Sequence, residues 1–138
     1  MVRRYCLLAL PALIVGVALS DARGQDENPV VKLVKSKVKD QAKPFSILVT
    51  FKVKAGKEKD FEAAFRPCLE ATKKEPGCIS YELNHDPDHP ELYVMFEKFR
   101  GIPALEDHLK QKHTQTLLST VIPMCDGDPQ IKVYTVPE

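Results

Sequence analysis

The sequence contains no tryptophan and few other aromatic residues, with six Phe and four Tyr among its 138 residues. A surface on which nucleic-acid bases could stack is therefore poorly supplied. Charge is also nearly balanced, since 20 basic and 19 acidic side chains leave a formal net charge of +1. So small a net charge creates no long-range field that attracts polyanions, and neither nucleic acid nor an anionic membrane surface is an expected partner.

The first 24 residues differ from the rest of the chain. Arg3 and Arg4 precede an apolar stretch over residues 5–19 that only Pro11 and Gly16 interrupt. A membrane-spanning helix needs about 20 apolar residues. This stretch is shorter and is typical of a signal peptide. We predict that residues 1–24 are a signal peptide, or an N-terminal anchor if uncleaved, and expect an exported protein, periplasmic or secreted. Any membrane contact would come through an uncleaved segment, and N-terminal sequencing distinguishes the two cases.

The sequence has no C-x-x-C pair, and so it lacks the motif of a zinc ribbon or a thioredoxin-like redox site. Apart from Cys6 in the N-terminal segment, the cysteines are Cys68, Cys78 and Cys125. An odd count permits at most one internal disulfide in an oxidising compartment. A Cys68–Cys78 bridge stays open, and we favour the alternative of three small, buried apolar side chains.

Residues 25–43 are polar and charged, apart from a cluster at Val30, Val31, Leu33 and Val34. This composition predicts a charged linker with at most one short ordered turn. Pro44 marks the expected start of a single domain over residues 44–138.

Within that domain, apolar residues alternate with polar ones in four segments, at residues 45–53, 78–84, 92–99 and 130–136. This period of two predicts strands. Residues 58–74 and 102–121 have apolar residues at spacings of three and four, which predicts two helices. Pro67 should kink the first helix or remove one of its hydrogen bonds. The turn at Glu75-Pro76-Gly77 should end it, with Gly77 supplying a positive φ.

The order β-α-β-β-α-β predicts an α+β, ferredoxin-like domain with an antiparallel sheet and helices on one face. We assign Leu48, Tyr93, Met95 and Phe99 to the uncovered face. Because an apolar, uncovered sheet face calls for a partner, we expect a homodimer in which two such faces meet.

The segment E-P-G-C-I-S-Y-E-L at residues 75–83 resembles the antibiotic biosynthesis monooxygenase (ABM) family. The resemblance continues through Asp86-Pro87, the strand Y-V-M-F-E at residues 93–97, and His108 followed five residues later by His113. It covers the whole predicted domain and implies a dimeric α+β barrel with a pocket between sheet and helices. Members include cofactor-independent oxygenases of phenols and quinols, and haem-degrading enzymes. In the former the deprotonated substrate itself supplies electrons to O₂, so that no cofactor is expected.

His108 is the first candidate for a catalytic base, because an imidazole can accept a phenolic proton near neutral pH. It shares a helix stripe with Leu105 and Leu109, and the alternative is a buried histidine that only holds the helix. His113 is a second catalytic candidate. Five residues correspond to about 140° around a helix, so the two rings converge only if the helix breaks between them. For this reason no metal site is expected.

Tyr81 and Glu97 match the family pattern on adjacent predicted strands. Tyr81 could orient a substrate hydroxyl, and Glu97 could hold His108 or act as an acid. The alternatives are that Tyr81 belongs to the core and that Glu97 pairs with Lys98 or Arg100 at a solvated edge. Three further aromatic residues are candidate walls of a substrate-binding pocket, namely Tyr93, Phe99 and Phe65.

The sequence also departs from several well-studied oxygenases of this family, which use an Asn on the first strand and a Trp in the pocket. Neither is present, so those pocket residues cannot be transferred. The leading hypothesis is a cofactor-independent monooxygenase that oxidises a small quinol or phenol with O₂. A non-catalytic dimeric barrel that binds a small hydrophobic ligand, and a haem-binding or haem-degrading protein, are the alternatives.

Overall fold

The computed structural model describes residues 27–137 of the chain. The predicted signal peptide lies outside the described residues. The helices are α1 (Pro29–Lys37), α2 (Glu58–Thr72), α3 (Ile102–Lys110) and α4 (Lys112–Val121), followed by a short 3₁₀ turn at Ile122–Met124. The strands are β1 (Phe45–Lys52), β2 (Cys78–His85), β3 (Leu92–Phe99) and β4 (Gln130–Thr135). No helix among residues 27–137 is long and apolar enough to cross a membrane.

The four strands form one antiparallel sheet in the order β2-β3-β1-β4. This is the strand order of a split βαβ unit, in which the first and third strands are central. The predicted α+β, ferredoxin-like fold is therefore confirmed. α2 continues through Pro67 as a helix of 15 residues.

The helices cover the sheet face that carries Phe45, Ile47 and Phe51 of β1. The strand register pairs Phe45 with Phe99 and Phe51 with Tyr93, so these residues of β3 lie on the same covered face. Our assignment of Tyr93, Met95 and Phe99 to the uncovered face is wrong, since all three are at most 2% exposed in the core. The alternation itself was correct, and only the face was exchanged.

The opposite face of the sheet carries Leu48, which was placed correctly, beside the apolar residues Leu92, Val94 and Phe96 of β3. One row across this face consists of Glu82, Phe96, Leu48 and Lys132, because these residues are register partners from β2 to β4. Its apolar centre is partly exposed and its charged ends are exposed. No described element covers this face.

α1 corrects the prediction of a linker over residues 25–43. Asn28 caps this helix by accepting a hydrogen bond from the Val30 backbone N–H at 2.9 Å, and Pro29 occupies the first turn. Such a start is typical of a helix N-terminus. Val31, Val34 and Val38 are at most 4% exposed and belong to the hydrophobic core. This stretch therefore packs against the domain and does not stand off from it.

The predicted second helix over residues 102–121 is divided into α3 and α4. Gln111 has an extended backbone, with φ −65° and ψ 140°, between the last residue of α3 and the first of α4. The break changes the direction of the chain, and so residues on the two sides of it need not follow one helical stripe.

Gly77 is required for close packing and not, as predicted, for a positive φ. Among the described residues, only Gly56 and Gly127 have a positive φ. A Cβ atom on Gly77 would lie 2.3 Å from the Cβ of Ala104 in α3. The missing side chain therefore lets the start of β2 approach α3.

The three described cysteines are free thiols. Cys68 and Cys125 are buried, as expected of small apolar side chains, whereas Cys78 is partly exposed.

We predict that Gly77→Ala lowers the free energy of unfolding by about 1–3 kcal/mol, the usual cost of forcing extra atoms into a packed contact. Urea unfolding of the single variants Gly77→Ala and Ala104→Gly and of the double variant measures the coupling between the two sites. We expect the loss caused by Gly77→Ala to be smaller when Ala104 is Gly. An equal loss in both backgrounds would show that the contact with Ala104 is not the cause.

Candidate active site

A cavity of about 230 Å³ lies between the covered face of the sheet and the helices. Its walls are mostly apolar, and the polar side chains among them are Tyr81, Glu97, His108 and Thr114. The apolar lining residues are Val30, Ile47, Val49, Phe51, Phe65, Met95, Leu105, Leu109, Leu117, Leu118, Ile122, Pro129 and Ile131. An apolar chamber with a few polar groups is the usual form of a small-molecule site.

His108 enters the cavity wall from α3 and is only 2% exposed. Its ring packs against the rings of Tyr81 and Phe99, with centroids 5.2 and 5.1 Å away. The Nδ1 atom lies 3.0 and 3.1 Å from the two carboxylate oxygens of Glu75. Burial is the largest influence on the pKa of His108 and lowers it, while the hydrogen bond with Glu75 acts in the opposite direction. The neutral ring is therefore favoured.

Glu75 contacts a second histidine as well. The Nε2 atom of His113 lies 2.6 Å from Oε1 of Glu75, so one carboxylate joins both predicted histidines. The helix break at Gln111 permits this, as the sequence argument required. Because a carboxylate only accepts hydrogen bonds, His108 donates through Nδ1–H, and a neutral His108 ring keeps Nε2 as its acceptor. The Thr114 hydroxyl lies 3.4 Å from this Nε2.

The three side chains of His108, Glu75 and His113 extend from the cavity towards the protein surface. The side chains of His108, Glu75 and His113 are 2%, 13% and 24% exposed, in that order. A buried ring in the cavity wall is therefore connected by two short contacts to a ring that reaches solvent.

Glu75, His108 and His113 are also the described residues that could hold a metal ion, since one ligand atom of each lies within 4.8 Å of the others. Two imidazoles and one carboxylate form a known ligand set for catalytic zinc. The distances of 2.6 to 3.1 Å from the ring nitrogens to the Glu75 carboxylate oxygens are hydrogen-bond distances.

Glu97 and Tyr81 are register partners on β3 and β2 and both line the cavity. Burial and, to a smaller extent, the charge of Glu75 raise the pKa of Glu97 to about 8. Burial and then the charge of Glu97 raise the pKa of Tyr81. Both groups therefore keep their protons at neutral pH and can donate hydrogen bonds to a bound molecule. The Tyr81 hydroxyl lies 3.9 Å from the sulfur of Cys68.

The structure thus brings His108, Glu97 and Tyr81 together at the cavity and places His113 behind Glu75. The residue that holds His108 is Glu75, whereas no hydrogen bond joins Glu97 to His108 among the described residues. The sequence pattern indicates Glu75 only as part of the turn motif and does not indicate Thr114. No sequence signal identified their role, because Glu75 is 33 residues from His108.

The three candidate pocket walls have different positions. Phe65 lines the cavity, whereas Tyr93 and Phe99 are not among its lining residues. The Tyr93 hydroxyl donates a hydrogen bond of 2.8 Å to Glu62, and burial together with this bond raises the pKa of Tyr93 to about 12. Phe99 lies against the ring of His108 and so supports a lining residue.

Two proteins of known sequence are similar to this chain. An uncharacterised protein of Synechocystis is 28% identical over 101 residues, which are 73% of this chain and 69% of that protein. The Mycobacterium tuberculosis protein Rv0793, named as a candidate monooxygenase, is 40% identical over 58 residues. That match covers 39% of this chain and 56% of Rv0793.

Solved structures share the fold. A protein of Nitrosomonas europaea, described as a candidate antibiotic biosynthesis monooxygenase, superimposes with a TM-score of 0.67 and 22% identity. The superposition covers 72% of this chain and 95% of that protein. The family model for antibiotic biosynthesis monooxygenase matches residues 44–118, which include Glu75, Tyr81, Glu97, His108 and His113. Since this match spans more than half of the 138 residues, the chain belongs to the antibiotic biosynthesis monooxygenase family.

Proposed function

We propose that the protein is a cofactor-independent monooxygenase that oxidises a small quinol or phenol with O₂ outside the cytoplasm. The observation that carries this proposal is His108, which lines an apolar cavity while Glu75 holds its Nδ1–H. A base of this kind, shielded from bulk water, can generate a phenolate, which transfers electrons to O₂ far more readily than the phenol does.

The reaction balances without an external reductant. For a simple hydroquinone, C₆H₆O₂ and O₂ become C₆H₄O₃, a hydroxyquinone, and H₂O. One oxygen atom enters the ring and the other leaves as water, and the four electrons that reduce O₂ come from the quinol. The protein has to bind the ring, remove a proton and stabilise the oxygen atoms that gain charge.

The polar groups of the cavity suit these tasks. His108 accepts the phenolic proton at Nε2. Tyr81 and the protonated form of Glu97 donate hydrogen bonds to the second oxygen of the substrate. The protonated His108 ring passes its Nδ1 proton to the Glu75 carboxylate, which is 13% exposed and releases the proton to water, while His113 holds this carboxylate in place. In this scheme Glu75 and His113 are positioning residues, because they act through His108.

The cavity volume favours this function over haem binding. Pockets for drug-sized ligands usually measure about 300–1,000 Å³, and a cavity of about 230 Å³ is smaller than that range. It suits a molecule of one or two rings, which haem greatly exceeds in size. A non-catalytic protein that binds a small hydrophobic molecule is the second candidate, favoured by the mostly apolar walls.

We predict that His108→Ala lowers the oxidation rate of an accepted quinol by about 10²–10⁴-fold, the usual contribution of a general base. O₂ consumption with a panel of quinols and phenols provides the measurement. The control is His89→Ala, since His89 is an exposed loop histidine. Full activity in the His108→Ala variant would eliminate the proposed base. Ligand binding without O₂ consumption by the unmodified protein would favour the non-catalytic candidate.

Glu97 generates a pH-dependence of stability. Its pKa is about 8 in the folded protein and about 4.3 in the unfolded chain. The folded state therefore retains the proton more strongly, and this stabilisation is complete below pH 4 and is lost as the pH rises to 8. We therefore compare the unfolding free energy of Glu97→Gln with that of the unmodified protein. We expect this difference to shift in favour of the variant by about 1–3 kcal/mol as the pH rises from 5 to 8.

Urea unfolding at several pH values, without ligand, measures this difference. Glu70→Gln is the matched control, because Glu70 is an exposed glutamate of α2 that does not line the cavity. A Glu97→Gln difference that stays constant from pH 5 to pH 8 would show that Glu97 does not retain its proton.

We further propose that the protein is a homodimer formed through the uncovered sheet face. The row Glu82-Phe96-Leu48-Lys132 has an acidic end, an apolar centre and a basic end. A twofold axis parallel to the strands places the β2 edge of one copy over the β4 edge of the other. Glu82 then faces Lys132 of the second copy, and the apolar centres meet.

The charges of this row provide the test of the dimer. We expect Lys132→Glu to weaken dimerisation by about tenfold or more, because like charges then face each other. Combining it with Glu82→Lys should restore the affinity. Sedimentation velocity at micromolar concentration measures the mass. A monomeric unmodified protein would overturn the dimer, and an unrestored double variant would overturn the proposed orientation.

A further inference from the structure

α1 lies before the part of the chain that the family model matches, which begins at residue 44, yet it is attached firmly to the domain. One contact of α1, and two of the segment at Gln41 that follows it, involve α3 or its N-terminus. Lys35 forms an ion pair of 2.9 Å with Glu106, the backbone N–H of Ile102 donates to the Gln41 carbonyl at 2.9 Å, and a Cβ atom on Gly101 would lie 2.8 Å from that carbonyl oxygen.

One residue of α1 reaches the cavity. Val30 lines it together with Leu105 and Leu109 of α3 and Ile131 of β4. Further along the same face of the helix, Leu33 and Lys37 form a shallow surface depression with β4. α1 therefore stands between α3 and the edge strand β4, where it completes the wall of the cavity.

We propose that α1 is a specificity element and that Val30 determines how large a ring system the cavity accepts. The ligand class is a hydrophobic phenol of one or two rings. The wall is built from β-branched and branched aliphatic side chains, which are packed and change shape little. A change of volume at Val30 is therefore expected to alter the space for the ligand directly.

The size of the expected effect follows from hydrophobic pockets in general. Discrimination between ligands that differ by one methylene is about 10–200-fold in such pockets. Val30→Ala should raise the affinity for a two-ring phenol relative to a one-ring phenol by about tenfold. Val30→Phe should lower the same ratio by a similar or larger factor, because the added ring occupies the space of the second ligand ring.

The test compares phenol and 1-naphthol as probes, with dissociation constants from titration calorimetry on the full chain. Leu33→Ala is the matched control, since it removes an aliphatic side chain of α1 that does not line the cavity. Circular dichroism and urea unfolding verify that each variant is folded. Two substitutions in opposite directions keep the result interpretable if one of them unfolds the protein.

We expect the ratio of the two affinities to change in opposite directions in Val30→Ala and Val30→Phe and to stay constant in Leu33→Ala. A ratio that Val30 does not affect, or that Leu33→Ala changes equally, overturns the proposal. The proposal shares with the proposed function only the premise that the cavity binds a small phenol. Binding with a shifted ratio but without O₂ consumption would support this role of α1 and overturn the oxygenase, whereas binding of neither probe would overturn both.

Discussion

The carboxylate of Glu75 accepts hydrogen bonds from two histidines on different helices, and several features of the fold serve to keep it there. It lies in the turn after α2, where the Cys78 backbone N–H donates to its carbonyl at 3.1 Å. The absent side chain of Gly77 lets this turn approach α3. The extended backbone at Gln111 then returns the chain so that His113 reaches the same carboxylate. Helices α3 and α4 and the start of β2 therefore meet at the Glu75 side chain.

The two carboxyl groups near the cavity, those of Glu75 and Glu97, have different roles. Glu75 accepts short hydrogen bonds from both rings and so holds them in place. Its charge contributes to the raised pKa of Glu97, which has no comparable partner among the described residues. One carboxylate thus fixes the tautomer of the base, and the second group stays protonated as a donor. A base held by one carboxylate, beside a second carboxyl group whose pKa is raised, is typical of acid–base sites.

Much of this arrangement could be predicted from local patterns in the sequence. The strands and helices follow from apolar periodicities of two and between three and four. The face of β3 could not be predicted in this way, because Leu92, Val94 and Phe96 on one face are as apolar as Tyr93, Met95 and Phe99 on the other. Only the pairing with β1 distinguishes the two sets, and pairing is not local information.

Two other features depended on tertiary contacts. A helix of nine residues such as α1 is too short to be stable alone. It is stabilised here because its valines are buried in the core. The contact between Glu75 and His108 joins residues 33 positions apart, and no short motif encodes that distance. The break at Gln111 could be anticipated from the sequence. Because His108 and His113 are five residues apart, their rings can converge only if the helix breaks between them.

The family match contains the polar groups of the candidate site but only part of its apolar wall. The polar groups of the site, namely Glu75, Tyr81, Glu97, His108, His113 and Thr114, all lie within residues 44–118. Several apolar walls lie outside that range, namely Val30, Ile122, Pro129 and Ile131. A relative that aligns only with the matched part can therefore share the acid–base cluster and still enclose a cavity of another shape. For this reason the ligand of a relative is a poor guide to the ligand of this cavity.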